Sequence, residues 1–304
     1  MFTLHTASHL RLVRAGIALC WVLLANALAA QTQTQAACAF NFFSPTTPFK
    51  LPDGTPLVIQ PLGINDFGTV VGYSSPGKAR GLIRWANGGF TRVKGTIFLN
   101  ARNDHGISVG LDLTGNAVLV GPTDSPTITP VDVNNSFVEE VKGINKWNTI
   151  VGRYFTGLTH GFKRWNNGTV HSLDFPGIDN MTTVPLGIND NGTVVGSYDT
   201  FEGTHGFIFH NGHWATLDYP HAVDTQLVGI TNAGKIIGNA WFVGGFADLS
   251  RTLFLYENGI FKVISVPNSD PETRSLMSIT PKQGLILGIT NDSPGSPAFI
   301  AQCQ

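Results

Sequence analysis

The sequence predicts an all-β fold: a β-propeller of six four-stranded blades, closed by an N-terminal strand that completes the last blade. Three observations predict it. A motif recurs at a period near 40 residues, each copy divides into four short strands, and the composition is that of a turn-rich chain. Of 304 residues, 39 are charged (19 Lys and Arg, 20 Asp and Glu) and 52 are Gly or Pro (35 and 17). Coiled coils and long-helix proteins need far more charge; even an ordinary soluble domain has roughly 25%. A hydrophobic fraction of 42% excludes a wholly disordered chain, which could not bury enough apolar surface to offset its ordering entropy.

Taken from the start, residues 1–30 carry Arg11 and Arg14 and no acid, then an apolar run Ala15–Ala30 broken by Asn26. Small residues follow at Ala27-Leu28-Ala29, the three-part pattern of a secretory signal peptide. The alternative is a membrane anchor, but 16 residues fall short of the ~20 that span a bilayer. With no other apolar run of spanning length, the mature product is expected to be secreted, extracellular or periplasmic, and a monomer. Removing the leader, which holds Cys20, leaves Cys38 and Cys303 near the two ends of the chain. In an oxidising compartment such a pair reads as a disulfide, with two separate thiols as the alternative. The mature chain is slightly acidic, which leaves no electrostatic case for a nucleic-acid partner.

Residues 31–304 then read as one domain of six repeats. Gly63-Ile64-Asn65-Asp66-Phe67-Gly68-Thr69-Val70-Val71-Gly72 recurs as Gly187-Ile188-Asn189-Asp190-Asn191-Gly192-Thr193-Val194-Val195-Gly196. Weaker copies start at Ala101, Gly143 and Gly229, and a degenerate sixth runs from Ser278 to Gly288. The Asn-Asp-x-Gly tetrad suits a tight turn between two strands, because Asn and Asp bond their own backbone and Gly accepts positive φ. A third strand begins at His160-Gly161-Phe162, and equivalently at Arg80, His205 and Thr252. The fourth is Thr169 to Phe175, echoed by Trp214 to Tyr219, and Pro176 and Pro220 end it. The sixth unit supplies strands near 274–280, 284–290 and 297–301 and lacks a fourth. Thr47-Pro48-Phe49-Lys50-Leu51-Pro52 loosely matches the missing Leu-Asp-Phe/Tyr-Pro stretch and is expected to complete that blade.

The pairing of Gly-Ile-Asn-Asp-x-Gly-x-Val-Val-Gly with His-Gly-Phe and Leu-Asp-Phe/Tyr-Pro resembles the extracellular HAF-repeat family of bacteria, over nearly all of residues 57–302. The resemblance implies an exported propeller. It carries over no catalytic residue.

Candidate sites follow from what the repeat does not explain. His160 and His205 occupy equivalent positions, but Arg80 and Thr252 replace them elsewhere, so they read as packing residues rather than metal ligands. No zinc or calcium pattern is present, so neither metal nor cofactor is expected. Asn65, Asn103, Asn145, Asn189, Thr231 and Thr280 share one position and read as turn caps, with a polar ring around the axis as the alternative. The connections between second and third strands depart furthest from the repeat. They hold Trp241, Phe242, Asp248 and Arg251 in unit five, and Tyr198, Asp199 and Glu202 in unit four. Aromatics beside carboxylates suit a sugar or peptide, since rings stack on apolar faces while acids accept donors. The expectation is a non-catalytic module binding a glycan or protein there. A hydrolase or lyase with acids at the channel mouth and a structural envelope protein are the alternatives.

Overall fold

The computed structural model describes residues 34–122, 127–177, 181–243, 249–270, 272–291 and 295–304. The signal-peptide segment lies outside these residues, as does Asp248. From Gln35 to Gln304 the chain is one compact unit, built as six antiparallel sheets arranged as a β-propeller.

Blade one consists of Pro56–Ile64, Val70–Ser75, Gly81–Arg84 and Phe90–Arg92, from the axis outward. Blade two is Thr96–Arg102, Ser108–Asp112, Ala117–Val120 and Ile128–Pro130. Blade three is Phe137–Ile144, Ile150–Phe155, Thr159–Arg164 and Val170–Leu173. Blade four is Thr183–Ile188, Val194–Asp199, Thr204–His210 and His213–Thr216. Blade five is Asp224–Ile230, Ile236–Val243, Leu249–Glu257 and Ile260–Val263. Blade six is Ser275–Ile279, Leu285–Ile289 and Ala298–Cys303, with Cys38–Phe43 as its outermost strand.

An N-terminal strand therefore does complete the last blade, but it is not the expected one. Cys38–Phe43 pairs residue for residue with Ala298–Cys303, Cys38 opposite Cys303. Thr46–Lys50 instead flanks the inner strand of blade one, pairing only at Thr46 with Val58 and at Lys50 with Pro56. The Thr46–Lys50 ladder is interrupted between those two positions, where Pro48 has no N–H to donate. Cys38–Phe43 also brings apolar side chains the other segment lacks: the Phe40 ring meets Phe299 edge-on at 5.4 Å. Just upstream, the Ala36 N–H donates to the Val263 carbonyl (2.9 Å). One short stretch thus straps blades five, six and one. The Cys38–Cys303 disulfide is formed.

Two motifs of the repeat prove to be halves of one contact. The glycine of Val-Val-Gly, or its counterpart in the weaker copies, faces an apolar residue of the third strand across the ladder in all six blades. The pairs are Gly72 with Leu82, Gly110 with Val118, Gly152 with Phe162, Gly196 with Phe207, Gly238 with Phe254 and Gly288 with Phe299. All six apolar partners are fully buried. A Cβ at Gly196 would stand 2.8 Å from Phe207 Cε1, so the ring occupies the space a side chain would take.

The shared Asn position explains how blades register on one another. Each Asn side-chain oxygen caps its own turn: Asn145 Oδ1 accepts from the N–H groups of Trp147 and Thr149, both at 3.0 Å. Each amide nitrogen then reaches the next blade. Asn103 donates to the Asn145 carbonyl (3.0 Å), Asn145 to that of Asn189 (3.1 Å), and Asn189 to that of Thr231 (2.9 Å). Thr231 and Thr280 keep the turn bond and are too short for the second. In blade three the turn's glycine is replaced by Asn148, which holds φ at 58°, as Asn tolerates better than most residues. Replacing Asn145 by Ala, which strands buried donors, is expected to lower stability by about 2–3 kcal/mol. In a domain this size that is about 5–10 °C in a thermal melt. Asn145→Thr, which keeps the turn bond, is expected to lose less; a Thr variant as stable as wild type would show that the inter-blade bond is idle.

Candidate functional site

The inner strands enclose a narrow axis. At its waist stand Leu62, Asn100, Lys142, Leu186, Val228 and Met277, one from each blade. Just beyond them lie the small residues Gly63, Ala101, Gly143, Gly187, Gly229 and Ser278, and a Cβ on Gly187 would stand 2.8 Å from Gly229 Cα. Backbone thus packs on backbone there. The axis ends at two unlike mouths.

On the face carrying the Asn-Asp-x-Gly turns, the acids are already engaged. Asp66 accepts from the N–H groups of Lys282 (3.2 Å) and Gln283 (2.7 Å), which joins blade six to blade one. Asp104 accepts from the Asp66 N–H (3.0 Å), and Asp190 from the Lys146 N–H (3.0 Å). The Lys282 amine crosses the mouth to Asp104 (3.0 Å). That contact, with Asp190 and Asp66 farther off, raises its pKa above the usual lysine range. The space left beneath is small, about 60 Å³. Two large aromatics stand exposed on this face, Phe67 and Trp147, and the indole N–H of Trp147 donates to the Asp190 carbonyl (3.0 Å). Sequence reasoning passed over them. The signal was the variable x of Asn-Asp-x-Gly, where other copies carry His105, Asn191, Ala233 and Gln283.

The opposite face carries the links between blades and the connections between second and third strands. Here a cavity of about 230 Å³ opens, lined by the six waist residues and by Gln226, Asn239, Trp241, Ser275 and Leu276. Asn239 is spent on blade six, bonding both the N–H (3.1 Å) and the carbonyl (3.3 Å) of Leu276.

Of the residues singled out in sequence, the structure brings Trp241 and Arg251 together at this mouth. They are cross-strand partners, and the guanidinium lies 5.2 Å from the indole centroid. Arg251 is anchored to blade six, donating to the Arg274 carbonyl (2.9 Å) and to the Ser275 hydroxyl. The others do not join them. Phe242 packs edge-on against Tyr219 (5.8 Å). Tyr198 is buried and stacked on Phe175 at 3.7 Å. Asp199 accepts from the Thr204 hydroxyl (2.9 Å) within blade four, and Glu202 is exposed on that hairpin.

The equivalent histidines also have structural partners. His160 meets Asp174 at 3.0 Å and His205 meets Asp218 at 2.8 Å, so His-Gly-Phe and Leu-Asp-Phe/Tyr-Pro are tied together in blades three and four. Tyr154 and Tyr198 cover the two imidazoles, with ring centroids 5.4 and 5.3 Å away. Among the described residues no group of three or more His, Cys, Asp or Glu is placed to hold a metal ion.

No protein-family model and no curated protein matches the sequence. Solved structures do match the backbone. TolB from Acinetobacter baumannii aligns with a TM-score of 0.50 at 10% identity, over 78% of this chain and 65% of that one. XC5397 from Xanthomonas campestris, described as a gluconolactonase important in glucose secondary metabolic pathways, also aligns at 0.50 and 10% identity, over 90% of this chain and 99% of that one. A weaker likeness, 0.44 at 9% identity over 77% of each chain, is to the β-propeller domain of the Trilobed protease from Pyrococcus furiosus. The likeness is one of fold. The propeller spans 65% of the TolB chain, and at such identities nothing about substrate or chemistry passes across.

Proposed function

We propose that this propeller is an exported binding module of the HAF-repeat type, taking a glycan or a protein at the cavity beside Trp241. The observation that supports this reading is the contrast between the two mouths. At the turn-face mouth Asp66, Asp104 and Asp190 each accept from backbone N–H groups, and Asp104 also from Lys282, so these three serve as clasps between blades rather than as a general acid or base. At the loop face an open cavity meets a half-buried indole and several amide groups, the mixture of one stacking wall and few polar contacts that suits ligand capture. Export is supported by the leader pattern in residues 1–30 and by the disulfide, which persists in oxidising compartments. Among the described residues no helix is long and apolar enough to cross a membrane.

The test is a glycan array and a pull-down with the full chain, repeated with Trp241→Ala. The expected outcome is a ligand that binds wild type and is lost at least tenfold in the variant, with the melting temperature within a few degrees. A ligand bound equally well by Trp241→Ala would move the site elsewhere, with Trp147→Ala as the next variant to measure.

A further inference from the structure

We infer that the loop face docks on a zwitterionic lipid surface through the apolar tips of blades three and four. Four large apolar side chains stand in water there. Phe137 and Phe155 are direct cross-strand partners at the end of blade three, 60% and 45% exposed. Leu158 lies on the hairpin that follows, its carbonyl accepting from the Thr156 N–H (3.0 Å). On the next blade the matching hairpin carries Phe201, 97% exposed. All four sit at strand ends or hairpin tips, where a side chain can enter a second phase without unpairing the sheet. Single exposed apolar residues are ordinary, but these share one face of two adjacent blades. Together they present roughly 500 Å² of apolar surface. A stable dimer needs about 800 Å² from each partner, so a second copy is poorly served by this patch. A bilayer asks for no matched shape, only side chains that reach the boundary between headgroups and acyl chains.

Charge selects the kind of lipid. Residues 133–138 and 154–159 hold no charged side chain. Behind them Glu139 and Glu140 are paired with Arg153 and Lys142, two acids against two bases. Glu202 stands exposed beside Phe201. Without Arg11 and Arg14 the chain sets 17 basic residues against 20 acidic ones (19 − 2 and 20). Attraction to anionic lipid needs a cluster of Lys and Arg, and this face has none, so its docking rests on the rings alone. The chain also enters the fold on this face, a ground that rests on the export reading above. Gln35 accepts from the Ser265 hydroxyl (2.8 Å), and the Ala36 N–H donates to the Val263 carbonyl, both at the loop-face end of blade five. Cys38 is already at the turn-face end, opposite Cys303. Before cleavage, a leader engaged in a bilayer thus brings the loop face toward it first.

The experiment is vesicle flotation of the exported chain freed of residues 1–30, whose remainder from Gln35 onward is one compact unit. Vesicles of phosphatidylcholine alone are compared with vesicles containing phosphatidylglycerol, each at low and high salt. The expected result is flotation with phosphatidylcholine that salt does not reverse and phosphatidylglycerol does not raise. Phe137→Ser combined with Phe201→Ser is expected to weaken it roughly tenfold or more while melting within a few degrees of wild type, since both rings are already in water. Phe201→Ser alone, at a hairpin tip, gives the same reading in smaller measure should the pair disturb folding. No flotation, or equal flotation of the variants, overturns the inference. So does flotation that requires phosphatidylglycerol and is lost in salt. A dimer in sedimentation that the same variants disperse overturns it in favour of a second copy. Trp241→Ala is expected to float as wild type does, and loss of flotation with ligand still captured at Trp241 would sink the docking inference alone.

Discussion

Serine at both Cys38 and Cys303 is expected to lower the stability of the propeller by about 3–5 kcal/mol. The bridge closes a loop with a sequence separation of 265, and chain entropy alone assigns such a loop about 5 kcal/mol. Native bridges often deliver less than that limit, which sets the lower end. At about 2–4 °C per kcal/mol for a domain of this size, the melting temperature falls by roughly 10–15 °C. Reduction of wild type should produce the same shift, since it cuts the same bond without changing a side chain in the core. The six-residue pairing of Cys38–Phe43 with Ala298–Cys303 remains in both cases. If it alone holds the ring, oxidised and reduced protein will melt together, and the covalent clasp will have been shown to be redundant.

Phe207→Ala is the second large effect. The ring is fully buried, lies over Gly196, and meets Trp214 at 5.1 Å. Truncation leaves a void bounded by a glycine, which has no side chain to collapse into it. Large-to-small changes of this kind remove about 3–5 kcal/mol, and the upper half of that range is expected, measured by urea denaturation. Gly196→Ala added to Phe207→Ala offers the methyl that the missing ring had excluded. It should recover little, because the same Cβ also collides with the Val184 carbonyl of the neighbouring strand. A double variant markedly more stable than Phe207→Ala would mean that the ring, not the backbone, dictates glycine at 196.

Much of this was legible in the sequence. The turn tetrads, the strand count and the terminal cysteine pair each act over a few residues, and local rules reach that far. Cys38–Phe43 was missed because its partner lies at the far end of the chain and it carries none of the repeat's residues. The amide chain from Asn103 to Thr231 was half visible: the cap within each turn follows from residue type, whereas the bond to the next blade depends on how blades are set side by side. Tyr198 entered the candidate site because an aromatic at the edge of a loop looks the same in sequence whether it faces water or Phe175. Trp241 and Arg251 were found because they broke a pattern. Lys142 was not, since it sits inside a recognisable copy, Gly143-Ile144-Asn145, as the residue just before it.

The strap across blades five, six and one has a bearing on when this protein can become whole. Its residues are among the first of the domain to be synthesised, and their partners in Ala298–Cys303 are among the last. Until Ala298–Cys303 has been made, blade six has no third strand for Cys38–Phe43 to join. Each of the other blades draws its strands from one contiguous stretch and can pair them as they emerge. Closure therefore waits for Ala298–Cys303, and a chain lacking that strand would hold five assembled blades around a ring that cannot shut.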